Sequence, residues 1–196
     1  MTHCTASISY DEGSMKEMVR VRMRTFRGIG SYGIFMIGLI FIIVGVLTSY
    51  GTLATRTAMV AIGCFMVVGV NTPEKYMGKK IVQSMNGRFP KLQYDFNFSN
   101  IKVKGADTIS RVGYHEIIRL VEEENYLYLF LENKSAFMVD KKTVKPKVDN
   151  LKELLSEKVG LPWMKARPIF GLSLASLIMF FKYRKALKDR KNKPET

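Results

Sequence analysis

The feature that most constrains the fold is a nearly uncharged stretch from Gly28 to Pro73, in which Arg56 is the only charged residue. It contains two apolar runs, Tyr32–Tyr50 and Leu53–Val70, which are separated only by Gly51 and Thr52. About 20 helical residues cross a bilayer core that is about 30 Å thick. The stretch therefore predicts a two-helix transmembrane hairpin over residues 31–73, to which every other segment must be related.

The charge balance favours the same setting. Lysine and arginine number 31 against 17 acidic residues, a net charge of +14. In a soluble protein this excess would indicate a nucleic-acid partner, whereas in a membrane protein it is typical of segments near anionic lipid. With the hairpin present, we expect the bilayer and its anionic lipids to be partners and nucleic acid not to be one. Cys4 and Cys64 are isolated and predict neither a disulfide framework nor a metal site.

Basic residues flank both ends of the hairpin, while the turn between the helices carries Arg56 alone. The flanking residues are Arg20, Arg22, Arg24 and Arg27 before the hairpin and Lys75, Lys79, Lys80, Arg88 and Lys91 after it. Because such residues accumulate on the cytoplasmic side, we expect both hairpin ends inside and the turn outside. The predicted location is a cell membrane, with multiple crossings. At its depth, Arg56 is expected to extend to the outer interface.

Glycines mark one face of the first helix. Gly38 and Gly45 are seven residues apart, so both point the same way and allow another helix to approach closely. We expect this face to pack the two helices of the hairpin together. The alternative is self-association of two copies.

The segments on either side of the hairpin are a basic N-terminal arm over residues 1–30 and a linker over 74–87. In the arm, the alternation from Thr5 to Tyr10 indicates a strand, and Ser14 with Glu17 fits a helix-capping box. We expect a helix from about Met15, although alternation from Val19 to Arg24 also suits a strand. In the linker, a short helix is expected over Met77–Met85.

Residues 88–160 predict one cytosolic domain. Short alternating runs separated by polar turns indicate an antiparallel meander, followed by a helix whose stripe holds Leu151, Leu154 and Leu155. That helix is expected to be capped near Asn150 and to end at Gly160. The runs are Leu92–Phe98, Ile101–Lys104, Ile109–Gly113, His115–Glu123, Tyr126–Leu131 and Ala136–Val139. The predicted fold class is a membrane α+β protein with a pleckstrin-homology-like domain, although periodicity alone also fits other α+β arrangements.

The closely spaced apolar helices, followed by the segment Tyr114–Val144, resemble the YcxB-like family of small bacterial membrane proteins. The resemblance covers about Tyr32–Val159 and is strongest in Tyr114–Val144. It implies two N-terminal transmembrane helices and a C-terminal domain of pleckstrin-homology type. It implies no reaction.

Residues 161–196 form a short hydrophobic segment with a basic tail. The run Pro168–Phe181 has 14 uncharged residues, a length more typical of an interfacial or buried helix than of a crossing one. We expect it to lie in the membrane plane, with Trp163 as an interface anchor. Gly171 and Ala175 are candidates for close helix packing. A third transmembrane span is the alternative.

Two groups of basic side chains are candidates for contact with anionic lipid: Lys141, Lys142, Lys145 and Lys147, and Lys182, Arg184, Lys185 and Lys188. Each charge near such a surface contributes about 1 kcal/mol. For the first group, a solvated loop is an equally weighted alternative.

The sequence predicts no catalytic, cofactor-binding or metal site. His115 and Glu116 are adjacent in a predicted strand, so their side chains point to opposite faces. The acidic run Glu122–Glu124 is expected to be a solvated strand end, with a weak divalent-ion site as the alternative. The predicted role is non-enzymatic: a membrane-tethered module that binds a protein or lipid partner. A component of an oligomeric transporter or channel is the alternative.

Overall fold

A computed structural model describes residues 4–27, 29–48, 51–70, 72–106, 108–166, 182–183 and 185–189. The strands are β1 (Cys4–Ser9), β2 (Lys91–Phe96), β3 (Asn100–Lys104), β4 (Ile109–Gly113), β5 (Ile117–Glu122), β6 (Tyr126–Leu131), β7 (Ala136–Asp140) and β8 (Trp163–Met164). The α-helices are α1 (Glu12–Thr25), α2 (Ile29–Leu47), α3 (Leu53–Gly69), α4 (Thr72–Ser84) and α5 (Val148–Val159). Two 3-10 turns cover Tyr114–Glu116 and Lys141–Thr143. The predicted mixed α+β class is confirmed.

The chain divides into two compact units. The α+β unit combines the residues up to Ser14 with those from Gly87 onward, and the helical unit is Met15–Asn86. Asn86 and Gly87, which directly follow the helix predicted for the linker, have φ angles of 47° and 74° and lie at the division. The linker helix itself is α4, which starts earlier than expected, at Thr72.

The first sheet has the strand order β1-β2-β3-β4, with every neighbouring pair antiparallel. The alternation in β1 buries Cys4, Ala6 and Ile8 on one face. This strand differs from the predicted organisation, in which the N-terminal arm was separate from a domain starting at residue 88. The arm supplies a full strand of that domain, since a short strand is stable only when its backbone groups pair with a neighbour.

Strand β1 is also hydrogen-bonded to the segment that follows β7, an edge strand of the second sheet. On the edge away from β2, Thr5 and Lys145 exchange backbone hydrogen bonds of 3.0 and 2.9 Å. The backbone N–H of Ser7 donates to Oγ1 of Thr143 at 3.0 Å, and that hydroxyl donates to the Ser7 carbonyl at 2.6 Å. Both edges of β1 are therefore occupied, and the strand links β2 to the segment that follows β7.

The second sheet has the order β7-β6-β5-β8, with β8 parallel to β5 and the other pairs antiparallel. Both faces of β6 are buried from Leu127 to Phe130. The Tyr94 ring of β2 meets the Phe137 ring of β7 edge-on, with centroids 6.0 Å apart, so side chains of the two sheets share a core. The predicted strand run Leu92–Phe98 is shorter than expected, since β2 ends at Phe96 and Phe98 is 64% exposed.

Helix α5 closes this unit, but its predicted details need correction. It begins at Val148, so Asn150 lies inside the helix and is not its cap. Leu151 and Leu155 are fully buried, whereas Leu154 is only half-buried because the apolar stripe is centred on the other two. The helix ends as predicted at Gly160, whose φ of 68° suits a residue without a Cβ atom.

Helix α1 confirms the helix that was expected in the arm, but its N-terminal cap is a different residue from the predicted one. The Asp11 carboxylate accepts a hydrogen bond of 2.7 Å from the Ser14 N–H, and the Asp11 N–H donates to Oγ of Ser14 at 2.8 Å. These reciprocal bonds lower the pKa of Asp11. The cap is thus Asp11 and not Ser14, because aspartate also offers an acceptor at the positive end of the helix.

Candidate functional site

The first candidate site is the pair of helices α2 and α3, which pack antiparallel through their glycines. A Cβ atom built on Gly63 of α3 would lie 2.6 Å from the carbonyl oxygen of Gly38. One built on Gly45 would lie 2.8 Å from Cγ2 of Val60. The structure thus places Gly38 and Gly45 at the contact within the pair, where only glycine permits this approach.

The side chains that face away from this contact are apolar and exposed. Leu47 is 75% exposed and Phe65 80% exposed. Among the described residues, Gly30–Leu47 is the one helix that is both long and apolar enough to cross a membrane, and Leu53–Gly69 is a shorter apolar helix. Exposed apolar surface on this scale marks contact with a membrane or another protein.

Arg56 lies within the same pair and has a local role. Its guanidinium donates to the carbonyl oxygens of Gly45 at 3.3 Å and Val46 at 3.1 Å. These carbonyls belong to the last turn of α2. Carbonyl groups in the last turn of a helix have no N–H partner within the helix, and they carry the negative end of its dipole. The Arg56 guanidinium of α3 therefore supplies hydrogen-bond donors and a positive charge to the C-terminal carbonyl groups of α2.

At the opposite end of the pair, two of the predicted flanking arginines are engaged by one carboxylate. Glu74, in the first turn of α4, accepts from Nε of Arg24 at 3.1 Å and from Nη2 of Arg27. Glu74 is 9% exposed and the Arg27 side chain 6% exposed. Nη1 of Arg27 is also buried and has no hydrogen-bond partner among the described residues. This buried cluster carries one net positive charge and one unused donor.

The second candidate site is the basic run after β7. Lys141 does not belong to it as a free cation, because its Nζ lies 2.8 Å from Oε1 of Glu122. Lys152 of α5 holds the other oxygen of Glu122 at 2.7 Å. Burial alone would raise the pKa of Glu122, but the hydrogen bonds from the two lysines outweigh it and lower the pKa.

The remaining lysines of that run, Lys142, Lys145 and Lys147, are exposed. In the tail, Lys182, Lys185 and Lys188 are also exposed. Between the first two of these, the Tyr183 hydroxyl donates to the Ile118 carbonyl of β5 at 2.8 Å, and the Arg119 guanidinium lies 5.4 Å from the Tyr183 ring centre. Arg184, Gly171 and Ala175 lie outside the described residues, so their predicted roles stay predictions.

Trp163 also has a defined place, which differs from the predicted interface anchor. It forms β8 beside Leu120 of β5, and its indole N–H donates to the Lys152 carbonyl of α5 at 3.2 Å. The tryptophan is half-buried in the α+β unit. Apolar burial beside α5 explains an aromatic residue here without a membrane.

Two of the carboxylates considered for chemistry accept hydrogen bonds from backbone N–H groups. His115 lies in a 3-10 turn and not in the predicted strand, and Glu116 accepts from the Gly113 N–H at 2.7 Å. In the acidic run, Glu123 accepts from the Ala166 N–H at 2.8 Å. Across the part of the chain that the structure describes, no group of three His, Cys, Asp or Glu side chains could hold a metal ion.

Sequence reasoning missed Glu74, whose carboxylate pairs with two arginines in the helical unit. A signal existed: Glu74 is the first acidic residue after Glu17, and it directly follows the nearly uncharged stretch that ends at Pro73. Because a helical hairpin brings its two ends together, a carboxylate at one end and a group of arginines at the other predict an ion pair. Its partner is not evident from spacing, because Arg27 is 47 residues away.

The structure thus defines a mixed α+β unit with an antiparallel pair of apolar helices. The family model described as YcxB-like protein matches residues 99–155, from just before β3 into α5. The predicted resemblance to the YcxB-like family is confirmed over this segment. No curated protein matches the chain.

Proposed function

We propose that this chain is an integral membrane protein without enzymatic activity, anchored by a transmembrane hairpin of α2 and α3. Its α+β unit is a cytosolic interaction module of pleckstrin-homology type that recruits a protein or lipid partner to the inner membrane of a bacterial cell.

The membrane assignment rests on the two points at which the chain leaves the first sheet before the hairpin and returns to it afterwards. Strands β1 and β2 pair along their whole length, ending at Ser9 opposite Lys91, and the Tyr10 N–H donates to the Pro90 carbonyl at 3.1 Å. The chain therefore leaves the sheet and returns to it at neighbouring points. Both ends of the intervening segment must lie on one side of any membrane. If α2 crosses, a second helix has to return, and α3 is the apolar helix that can do so.

The length of α3 is compatible with that return. Its 17 residues span about 25 Å, against about 28 Å for the 19 residues of α2. A hydrophobic segment a few ångströms shorter than the bilayer core is accommodated by local thinning or by flanking side chains, at modest cost. Arg56 near the start of α3 is such a flanking residue, and its hydrogen bonds to α2 lower the cost of its charge.

The exposed basic residues support a cytosolic α+β unit. Arg20 and Arg22 before the hairpin, and Lys79, Lys80 and Arg88 after it, are exposed. Although Glu74 neutralises part of the arginine group, the orientation bias depends on lysine and arginine and only slightly on acidic residues.

The tail supports the same side. Ala166 contacts Glu123 at the end of β5, and Tyr183 contacts Ile118 in the same strand. Whatever the intervening residues do, Lys182 and Lys185 belong with the α+β unit. The prediction that the hydrophobic segment lies in the membrane plane, and its alternative of a third span, fall on residues outside those described and stay predictions.

Two packed sheets closed by a C-terminal helix support the pleckstrin-homology comparison, and the exposed Lys142, Lys145 and Lys147 give this unit a basic surface. Such a surface attracts anionic lipid or an acidic protein segment.

Cysteine labelling in intact cells tests the proposal. In a Cys4→Ala, Cys64→Ala background, Leu53→Cys at the start of α3 should react with a membrane-impermeant maleimide from outside. The matched Lys142→Cys variant should react only after lysis. Labelling of both sites, or of Lys142→Cys alone, before lysis would contradict the proposed topology.

The module itself is tested by partner capture. The full chain, purified in mild detergent, is compared with a Lys142→Gln, Lys145→Gln, Lys147→Gln variant and a control that carries Lys79→Gln, Lys80→Gln and Lys91→Gln. Loss of bound lipid or protein only in the first variant supports the basic surface, and equal retention by all three proteins argues against it.

A further inference from the structure

The helical unit contains a cavity of about 430 Å³ at the end of the hairpin where α2 begins and α3 ends. Ligand pockets in proteins have volumes of about 300–1,000 Å³. Most of the wall is apolar, including Phe26 after α1, Val70 after α3 and Met77 in α4. Such a wall suits a hydrocarbon chain.

The rest of the wall is charged and has the opposite preference. Arg22, Arg27 and Glu74 line the cavity, so the wall carries one net positive charge. Glu74 occupies only Nη2 of Arg27, and Nη1 is buried without a partner among the described residues. A buried guanidinium donor that is left unpaired destabilises the fold because it has lost its hydration, and an anionic ligand would remove that penalty.

A third feature adds to this preference. Ser31, in the first turn of α2, also lines the cavity. The first N–H groups of a helix are not used within it and carry the positive end of the helix dipole, which favours an anion nearby.

We propose that this cavity binds an anionic phospholipid, with its phosphate accepting a hydrogen bond from Nη1 of Arg27 and an acyl chain lying against the apolar wall. Guanidinium groups recognise phosphate through paired donors, and here one donor of the fork is already fixed by Glu74. A free phosphate would satisfy the charge but would leave the apolar wall uncovered. The inference rests on the proposed hairpin, whose cytosolic end would put this cavity at the level of the lipid headgroups.

The test measures thermal unfolding of the full chain in a neutral detergent as lipid is added. Phosphatidylglycerol should raise Tm by about 5 °C or more at about one hundred times its Kd. Diacylglycerol, which lacks the phosphate, and inorganic phosphate, which lacks the chains, should each leave Tm unchanged. An equal rise with diacylglycerol would mean a purely apolar groove, and a rise with inorganic phosphate alone would mean a free-anion site. Either result, or no rise with phosphatidylglycerol, overturns the proposal.

Two arginine variants separate binding from stability. Arg27→Gln removes the free donor and should weaken phosphatidylglycerol binding about tenfold or more. Arg24→Gln is the matched control, because it removes the other ion pair of Glu74 but does not line the cavity, and it should bind as the wild type does. Equal weakening in both variants would assign the effect to Glu74 and contradict a phosphate site at Arg27.

If Arg27→Gln fails to fold, Val70→Phe provides a second variant. It adds volume to the apolar wall without changing a charge and should also reduce the lipid-dependent rise in Tm. An unchanged rise would exclude this cavity as the site. The cysteine labelling described above tests the hairpin independently, so a failed lipid site and a failed membrane topology give different results.

Discussion

The two units hold similar apolar side chains in opposite environments. In the α+β unit, Tyr94, Leu129 and Leu155 are completely buried, whereas in the hairpin Leu47 and Phe65 are mostly exposed. Burial in the first unit is supplied by the protein itself, through two sheets and α5. In the second, α2 and α3 meet along a glycine-lined contact, while the described apolar side chains on their outer faces are left exposed. The proposed bilayer would cover those faces. A single chain thus combines one unit that has a buried apolar core with another whose two apolar helices have exposed outer faces.

The largest expected effect is in the buried core. Leu155→Ala should lower the free energy of unfolding of the α+β unit by about 2–5 kcal/mol, through lost apolar burial and the cavity it leaves. Leu47→Ala, which removes the same atoms from an exposed position in α2, should change it by less than about 0.5 kcal/mol. Denaturant unfolding followed by fluorescence measures this, since the single tryptophan, Trp163, contacts α5. Similar losses in both variants would remove the distinction between the units.

The next effect concerns the contact that the hairpin does supply. Gly63→Ala would put its Cβ atom 2.6 Å from the Gly38 carbonyl, so the helices must separate, at a cost of about 1–3 kcal/mol. Gly33→Ala in α2 is the control, since nothing lies within 4 Å of its Cβ position. It should be neutral or stabilising by up to about 1 kcal/mol, as alanine favours a helix. Thermal unfolding in detergent compares the two. A destabilising Gly33→Ala and a neutral Gly63→Ala would place the helix contact on another face.

A smaller effect is electrostatic and lies in the α+β unit. Glu122→Gln removes the charge that holds Lys141 and Lys152, and the unit should lose about 1 kcal/mol or less at pH 7. Because the folded-state pKa of Glu122 is lowered, its contribution is present above the ordinary value of 4.5 and is lost as the pH falls through the folded-state pKa. The wild type and the variant should therefore converge in acid when unfolding is measured against pH. Glu124→Gln, at an exposed position, should follow the wild-type curve throughout, and convergence at high pH instead would reverse the assigned direction.

Alkaline pH should also weaken the same unit. The Tyr114 hydroxyl donates to the Asn97 carbonyl at 2.6 Å, and burial, followed by the nearby Cys4, raises the pKa of Tyr114 to about 12. A raised folded-state pKa means that its contribution is complete below pH 10 and is lost as the pH approaches 12. This loss of stability is expected because the Tyr114 side chain is buried within the α+β unit.

The features that depend on neighbouring residues were predictable from the amino-acid sequence alone. The lengths of the apolar helices, the alternation in β1 and the glycine that ends α5 follow from local chemistry: side-chain period, apolar run length and the freedom of glycine to adopt a positive φ. The family resemblance was also accessible, because it depends on a continuous segment. Errors at this level were small shifts, such as the α1 cap at Asp11 instead of Ser14.

Contacts between residues that are distant in the chain could be identified only in the folded structure. Three contacts join residues that are far apart in the chain. Strand β1 pairs with β2, which follows it only after the helical unit, and Glu74 binds Arg27. Glu122 binds Lys141 and so removes this lysine from the basic surface. Period and propensity describe each partner separately and say nothing about the partner it finds. That choice depends on how the elements close and pack around a shared core, where an unpaired strand edge or a buried charge must be satisfied by whatever the fold brings beside it.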